Sequence, residues 1–280
     1  MTIKEALSKG MIMLKGNNIE SPKQKARLLL QYILQQPRQY LIVYDNKEIN
    51  KKEQWEYFVN IEKLAQGVPL QHITHTQEFM KMDFYVDENV LIPRPDTEVL
   101  VEETIKIAKK MQKPKILDLC TGSGAIAISL AKNLPNAEIF AIDISEKALE
   151  VAKKNAKKLE AKVQFIKSNL FEKLDKTKFD IIVSNPPYIK KEEIEKLSKE
   201  VQNEPEIALD GGYDGLKFYN LIAEQAIDYL KFDSYLCFEI GYDQKIDVID
   251  IIERQNHYTG TYCKKDLYGN DRVIVTRVGG

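Results

Sequence analysis

The stretch "KILDLCTGSGAIAISLAKNL", residues 115–134, reads as a strand, a glycine turn and a helix in immediate succession. Gly122 and Gly124 allow a tight turn and a close backbone approach to a ligand. The helix that follows presents unpaired N–H groups and a partial positive charge at its N-terminus. Gly122, Gly124 and Ala127 satisfy the spacing G-x-G-x-x-A. Asp143 closes the next apolar run roughly 20 residues on, where a carboxylate grips ribose hydroxyls. The pattern predicts a nucleoside-containing ligand.

Outward from this unit, strands alternate with helices. "AEIFAID", "KVQFI" and "FDIIVSN" read as further strands, separated by "SEKALEVAKKNAKKL" and similar helical stretches. Such alternation implies a Rossmann-like α/β domain with a parallel, doubly wound sheet. A helix over about 216–230, a strand "SYLCFEI", a helix over 244–254 and an antiparallel pair from "HYTGTYC" and "RVIVTRV" complete it. Upstream, residues 1–67 read as a small helical bundle. Ser21 and Pro22 open one helix, with Leu28, Leu29, Tyr32 and Ile33 at helical spacing. A second runs from Asn50 to a C-terminal Gly67, with Trp55 in the bundle core. "MKMDFYV" alternates like a strand, so 68–95 reads as a connector with a β-hairpin turning at "DEN". Asp96 or Thr97 then caps the first helix of a catalytic domain spanning 96–280.

Asp118 bears on which nucleoside is bound. A carboxylate inside the first strand, beside the glycine turn, repels a pyrophosphate in a partly desolvated crevice. It suits a phosphate-free ligand with a cationic end, and S-adenosylmethionine has that chemistry. The competing reading is that Asp118 only caps loop N–H groups.

"SNPPYI", residues 184–189, ends a strand on the edge where open α/β sheets bind ligands. Prolines stop a sheet ladder, but a plain stop needs neither Asn185 before them nor Tyr188 after them. An amide or exocyclic amine nitrogen is a poor nucleophile because its lone pair is delocalised. Acceptors aimed at its N–H bonds let the pair localise. The Asn185 side-chain oxygen and the Pro186 carbonyl supply two. Pro187 holds residue 186 extended, and Tyr188 packs on the flat group. The work is positioning and electrostatic fit, with no obligatory general base.

The bulk composition narrows the classes. With 41 basic and 42 acidic residues the chain lacks the basic footprint of a nucleic-acid binder. Cys120, Cys237 and Cys263 form no metal or disulfide spacing, which favours a reducing compartment. There is no signal-peptide core and no apolar run of membrane-spanning length, so the expected location is cytoplasmic. His72 and His75 lack acidic or thiol partners nearby, and no metal is expected. A monomer is the default.

"IPRPDTE" (92–98), "LDLCTGSGAIA", "SNPPYI", "EPEIALDGGYDGL" (204–216), "EIGYDQ" (239–244) and "KDLYGNDRV" (265–273) together resemble the release-factor glutamine methyltransferases, the PrmC/HemK family. The resemblance runs in order from about Gln71 to the C-terminus. It implies methyl transfer from S-adenosylmethionine to the glutamine side-chain nitrogen in the Gly-Gly-Gln tripeptide of class 1 peptide-chain release factors. It implies that Cys120, Thr121, Gly122, Ser123 and Gly124 hold the methionine end of the cofactor, and Asp143 the ribose. Asn169 and Leu170 border the adenine. Asn185, Pro186, Pro187 and Tyr188 receive the substrate amide, with Arg94 near the mouth. Cys120 stands where the wider methyltransferase pattern has glycine, which is tolerable if its φ stays negative. Asn169 stands where an acid is commoner.

Three rivals remain. An N6-adenine DNA or RNA methyltransferase shares the acceptor chemistry but needs a basic surface or target-recognition domain. An NAD-dependent oxidoreductase fits the glycine count but leaves Asp118 and "NPPY" unexplained. A non-catalytic module recruiting a translation factor has no use for an intact Asn185 and glycine turn.

Overall fold

In the computed structural model, which describes residues 1–279, the chain divides into two compact units. One comprises residues 1–76 with 197–203, the other residues 77–196 with the chain from Glu204 onward.

The first unit holds α1 (Ile3–Gly16), α2 (Pro22–Leu34), α3 (Arg38–Val43), α4 (Lys51–Ala65) and α5 (Leu70–Thr74). Capping boxes start α1 at Thr2 with Glu5 and α4 at Asn50 with Glu53, each satisfying N–H groups a helix start leaves free. Gly67, with φ +95°, follows the end of α4 as expected. Pro22 takes the first position of α2, but Ser21 has φ +49° and makes no side-chain cap. The core is Ile3, Ala6 and Leu14 from α1, Ala26, Leu29 and Leu30 from α2, and Tyr57, Ile61 and Leu64 from α4. Gly10 lets α1 approach α4 closely, since a Cβ there would lie 2.3 Å from the Tyr57 hydroxyl.

Two expectations for this unit fail. Leu28 and Tyr32 are exposed, because the buried face of α2 is rotated by about one residue onto Ala26, Leu29 and Leu30. Trp55 is 69% exposed, because Tyr57 and Ile61 fill the core position assigned to it.

The second unit begins with a hairpin of β1 (Gln77–Phe79) and β2 (Met82–Phe84). Its turn is Met80-Lys81, with φ +51° and +60°, rather than "DEN", and Val90 to Ile92 form no strand. Two successive positive φ values match the twist of a tight hairpin. The Met80 N–H is held by the Glu98 carboxylate at 2.6 Å.

There follow α6 (Thr97–Ala108), β3 (Lys115–Leu119), α7 (Ala125–Asn133), β4 (Glu138–Asp143), α8 (Glu146–Lys158), β5 (Gln164–Lys167) and β6 (Phe179–Ser184). Next come the short helices α9 (Lys191–Ile194) and α10 (Lys199–Gln202), a 3-10 turn at Glu206–Ala208, α11 (Lys217–Ala226), β7 (Leu230–Glu239), α12 (Lys245–Glu253), β8 (Tyr258–Lys265) and β9 (Asp271–Val278). Of these, α10 groups with the first unit: Lys25 pairs with Glu200, and Asn203 donates to the Gly67 carbonyl at 3.1 Å.

The sheet order is β5-β4-β3-β6-β7-β9-β8, parallel through β7 and antiparallel for the last two strands. This is the Rossmann-like, doubly wound parallel sheet that the alternation predicts, closed by the expected antiparallel pair, and it agrees with the class I methyltransferase fold that the resemblance implies. Successive residues of β3 point to opposite faces: Ile116 joins the core under α6 and α7, and Leu117 and Leu119 join the core under α11 and α12. The chain reverses its direction of winding between β3 and β6, where Leu119 pairs with Ser184. Ligands bind in that crevice in open α/β sheets. The glycine turn and "NPPY" leave the sheet side by side there.

Candidate active site

A cavity of about 400 Å³ opens at this crevice. Its walls include Cys120, Gly122, Asp143, Ser145, Asn169, Leu170, Asn185 and Pro187, closed opposite by Pro205, Ile207, Phe218 and Leu221. Asp143 is the organising group on the glycine-turn side. One carboxylate oxygen accepts from the Gly122 N–H at 2.9 Å and the other from the Ser145 N–H at 2.8 Å. Burial raises its pKa, and those backbone N–H groups pull it back. Gly122 has φ +54° and a Cβ there would meet nothing within 4 Å, so the backbone faces open space for a ligand.

Cys120 has φ +60°, against the negative value expected of it. The left-handed conformation folds the chain sharply off β3, so that the Thr121 N–H reaches the Ile142 carbonyl at 2.9 Å. Cysteine therefore occupies a position whose backbone favours glycine.

Asp118, Thr121, Ser123 and Gly124 are not in the cavity wall. Asp118 is fully buried; one oxygen accepts from the Thr121 hydroxyl at 2.6 Å and from the Ala127 N–H at 3.2 Å, and the other has no hydrogen-bond partner. It caps the loop and the start of α7, and burial pushes its pKa up to about 7. Gly124, with φ +81°, lets α7 sit against Ala152 of α8. Asn169 is exposed and donates to the Glu172 carboxylate at 2.6 Å, and Leu170 beside it is buried with φ +46°.

On the acceptor side, Asn185 and Pro187 face the cavity, whereas Pro186 and Tyr188 do not line it. The Asn185 side chain donates to the Thr97 hydroxyl at 3.4 Å, and the Tyr188 hydroxyl donates to the buried Glu239 carboxylate at 3.4 Å. Arg94 is drawn to Glu204, whose second oxygen accepts from the Ile92 N–H at 2.8 Å, and it does not line the cavity. His72 is buried and His75 exposed; among the described residues no three His, Cys, Asp or Glu side chains converge.

Several further residues shape the site, among them Gln244, which the sequence left between a place at the sheet edge near the cofactor and a structural role. The Gln244 amide donates to the Tyr188 carbonyl at 3.0 Å and to that of Gly215 at 3.3 Å, and it accepts from the Gly241 N–H at 2.9 Å. Gly211 and Gly215 press on Tyr188, where an added Cβ would lie 2.7 Å and 2.5 Å from its backbone. The motifs "DGGYDG" and "EIGYDQ" thus grip the loop that aims "NPPY". Asn155 of α8 accepts from the Tyr85 N–H at 2.7 Å and donates to the Tyr85 and Ser123 carbonyls at 2.9 Å, tying hairpin to glycine turn. Arg272, the last charge of "KDLYGNDRV", is buried against Asp266 at 3.2 Å and Asp96 at 3.3 Å.

These features have counterparts in known proteins. A family model described as the PrmC N-terminal domain matches residues 5–74, and one described as the methyltransferase small domain matches residues 95–210. A release factor glutamine methyltransferase of Clostridium acetobutylicum is 40% identical over 285 residues, covering 100% of both chains. One of Fusobacterium nucleatum is 42% identical and covers 98% of this chain and 78% of its own. Among solved structures, a methyltransferase from Pyrococcus furiosus superposes with a TM-score of 0.53 at 18% identity, over 82% of this chain and 100% of that one, and shows the shared fold. With relatives of this similarity along its whole length, and a glycine turn set beside an Asn-Pro-Pro-Tyr edge, the chain belongs to the release factor glutamine methyltransferase family.

Proposed function

We infer that this chain carries out its family's reaction, methylating the glutamine side-chain nitrogen in the Gly-Gly-Gln tripeptide of a class 1 release factor, and that the cavity and "NPPY" edge are where it does so. The cavity fits a nucleoside cofactor: its size is in the ~300–1,000 Å³ range of small-molecule sites, and its charged lining residues are Asp143 and Lys217. When bound, S-adenosylmethionine supplies an electrophilic methyl group. Asp143 would hold its ribose, Asn169 and Leu170 its adenine, and the turn from Cys120 to Gly124 its methionine end.

The chain's own contribution at the acceptor is a clamp. Asn185 Oδ1 and the Pro186 carbonyl accept the two N–H bonds of the glutamine amide, freeing the nitrogen lone pair from conjugation. Tyr188 and Pro187 hold the plane, and Gln244 and Gly215 keep the loop from turning. The proton lost from nitrogen passes to water, so no general base is needed. The observation that carries this reading is the placement of Asn185 in the same cavity wall as Asp143 and Gly122.

The exposed Ile42, Val43 and Tyr44 at the end of α3 support a role for the helical unit in docking the release factor. Three free cysteines favour a reducing cytoplasm. Among the described residues no helix is long and apolar enough to cross a membrane.

The test is incubation with labelled S-adenosylmethionine and either a release factor or duplex DNA. Label is expected on the glutamine of the release factor. Label on the DNA alone would overturn the assignment.

A further inference from the structure

The acceptor clamp makes no use of two motifs, "IPRPDTE" and "EPEIALDGGYDGL", yet their opening residues meet beside the cavity. Asn89, Val90 and Leu91 line the cavity immediately before Ile92, and Pro205, Ile207 and Ala208 line it immediately after Glu204. One Glu204 carboxylate oxygen accepts from the Ile92 N–H at 2.8 Å, in a buried hydrogen bond, and the other is paired with the Arg94 guanidinium. The Glu204 side chain is 1% exposed. Its charge thus joins two separate stretches of the cavity wall.

Neither stretch is held by a strand ladder or a long helix. Residues 85–96 contain neither element, and residues 204–209 contain only the 3-10 turn at Glu206–Ala208. The first stretch is seated on α8, where Val90 and Ile92 pack with Ala148 and Val151. The second has less packing of its own: Ile207 lines the cavity but is 55% exposed. Prolines stiffen the meeting point. Pro93 and Pro95 flank Arg94 and Pro205 follows Glu204, and a residue before proline is biased to extended backbone.

A carboxylate taken out of water is costly unless it is paired and hydrogen-bonded. Glu204 satisfies both needs between Ile92 and Arg94, and in doing so it fixes where Pro205 and Ile207 begin. We propose that Arg94 and Glu204 are positioning residues that clasp the two stretches of wall together and so retain the cofactor; this rests on the reading of the cavity as the S-adenosylmethionine site. Arg94 serves the reaction through Glu204, and the clasp leaves the acceptor edge at Asn185 unchanged.

The test uses Arg94→Met, Glu204→Gln and the double variant in the full chain. Its readouts are the dissociation rate of labelled S-adenosylmethionine without an acceptor, KM for the release factor, and amide exchange over residues 206–209 in the cofactor-free protein. Each single variant is expected to release the cofactor about tenfold faster, the worth of one charge-assisted hydrogen bond. Exchange over 206–209 should quicken, and KM for the release factor should stay unchanged. The double variant should release it no faster than Arg94→Met alone, because one pair is lost only once. Wild-type dissociation in Arg94→Met, whose side chain is partly exposed and least prone to misfold, would overturn the clasp. So would effects that multiply in the double variant. A lower unfolding midpoint with unchanged dissociation would make the pair merely structural, and a raised KM for the release factor with unchanged dissociation would put Arg94 on the protein substrate; either overturns it. Dissociation is read without an acceptor, so label on duplex DNA alone in the wild type would overturn the release-factor reading and not the clasp.

Discussion

The two glycines of the turn do different work, which a methyl group at each separates. A Cβ at Gly124 would lie 2.9 Å from Ile128 Cδ1 and 3.1 Å from Ala152 Cβ, whereas one at Gly122 meets nothing within 4 Å. Gly124→Ala is therefore expected to cost about 1–3 kcal/mol in urea unfolding, from overpacking added to a positive φ. Gly122→Ala should cost only about 1–2 kcal/mol of backbone strain, with its larger effect on cofactor affinity because it lines the cavity. Both glycines were legible in the sequence because a tight strand-to-helix turn at positive φ calls for that residue type. The sign of φ at Cys120 was not, since it goes with the Thr121 N–H reaching the Ile142 carbonyl on another strand. Nor was the pairing of Asn185 with Thr97, which lie 88 positions apart.

Among elements, the strands and helices of the sheet were readable from period and punctuation, and the exceptions have local causes. The hairpin turn hid in Met80-Lys81, a pair without the Asn-Gly signature of two positive φ values. The faces of α2 and α4 were misjudged because runs such as "RLLLQYIL" offer two overlapping apolar stripes, and only packing chooses between them. Trp55, the chain's single tryptophan, should accordingly be quenched by acrylamide almost as readily as a free indole, and Trp55→Phe should change stability by under about 0.5 kcal/mol. Asn155 is the opposite case, a fully buried amide among lysines on what reads as a solvated helix. Asn155→Ala removes the hydrogen bonds to the N–H and carbonyl of Tyr85 and to the carbonyl of Ser123, and should cost about 2–3 kcal/mol by urea denaturation.

At the scale of the whole molecule, two of the buried carboxyls, Asp118 and Glu239, give stability a pH signature. Burial raises both Asp118 and Glu239 to about 7. Between their ordinary range and that value the folded chain binds more protons than the unfolded one. Their contribution to stability is thus greatest in acid and declines as pH rises toward about 7. Asp118→Asn should flatten that decline in denaturant midpoints measured across the window. Docking belongs to this scale as well. Charging the exposed apolar surface with Ile42→Asp and Val43→Asp should raise KM for a whole release factor and leave a short Gly-Gly-Gln peptide unaffected. The acceptor clamp is tested most directly by Asn185→Ala in single-turnover transfer from labelled S-adenosylmethionine, with cofactor affinity measured on the same preparation. Transfer to the release factor glutamine should fall by at least about a hundredfold while the cofactor still binds. Transfer at close to the wild-type rate would contradict the clamp.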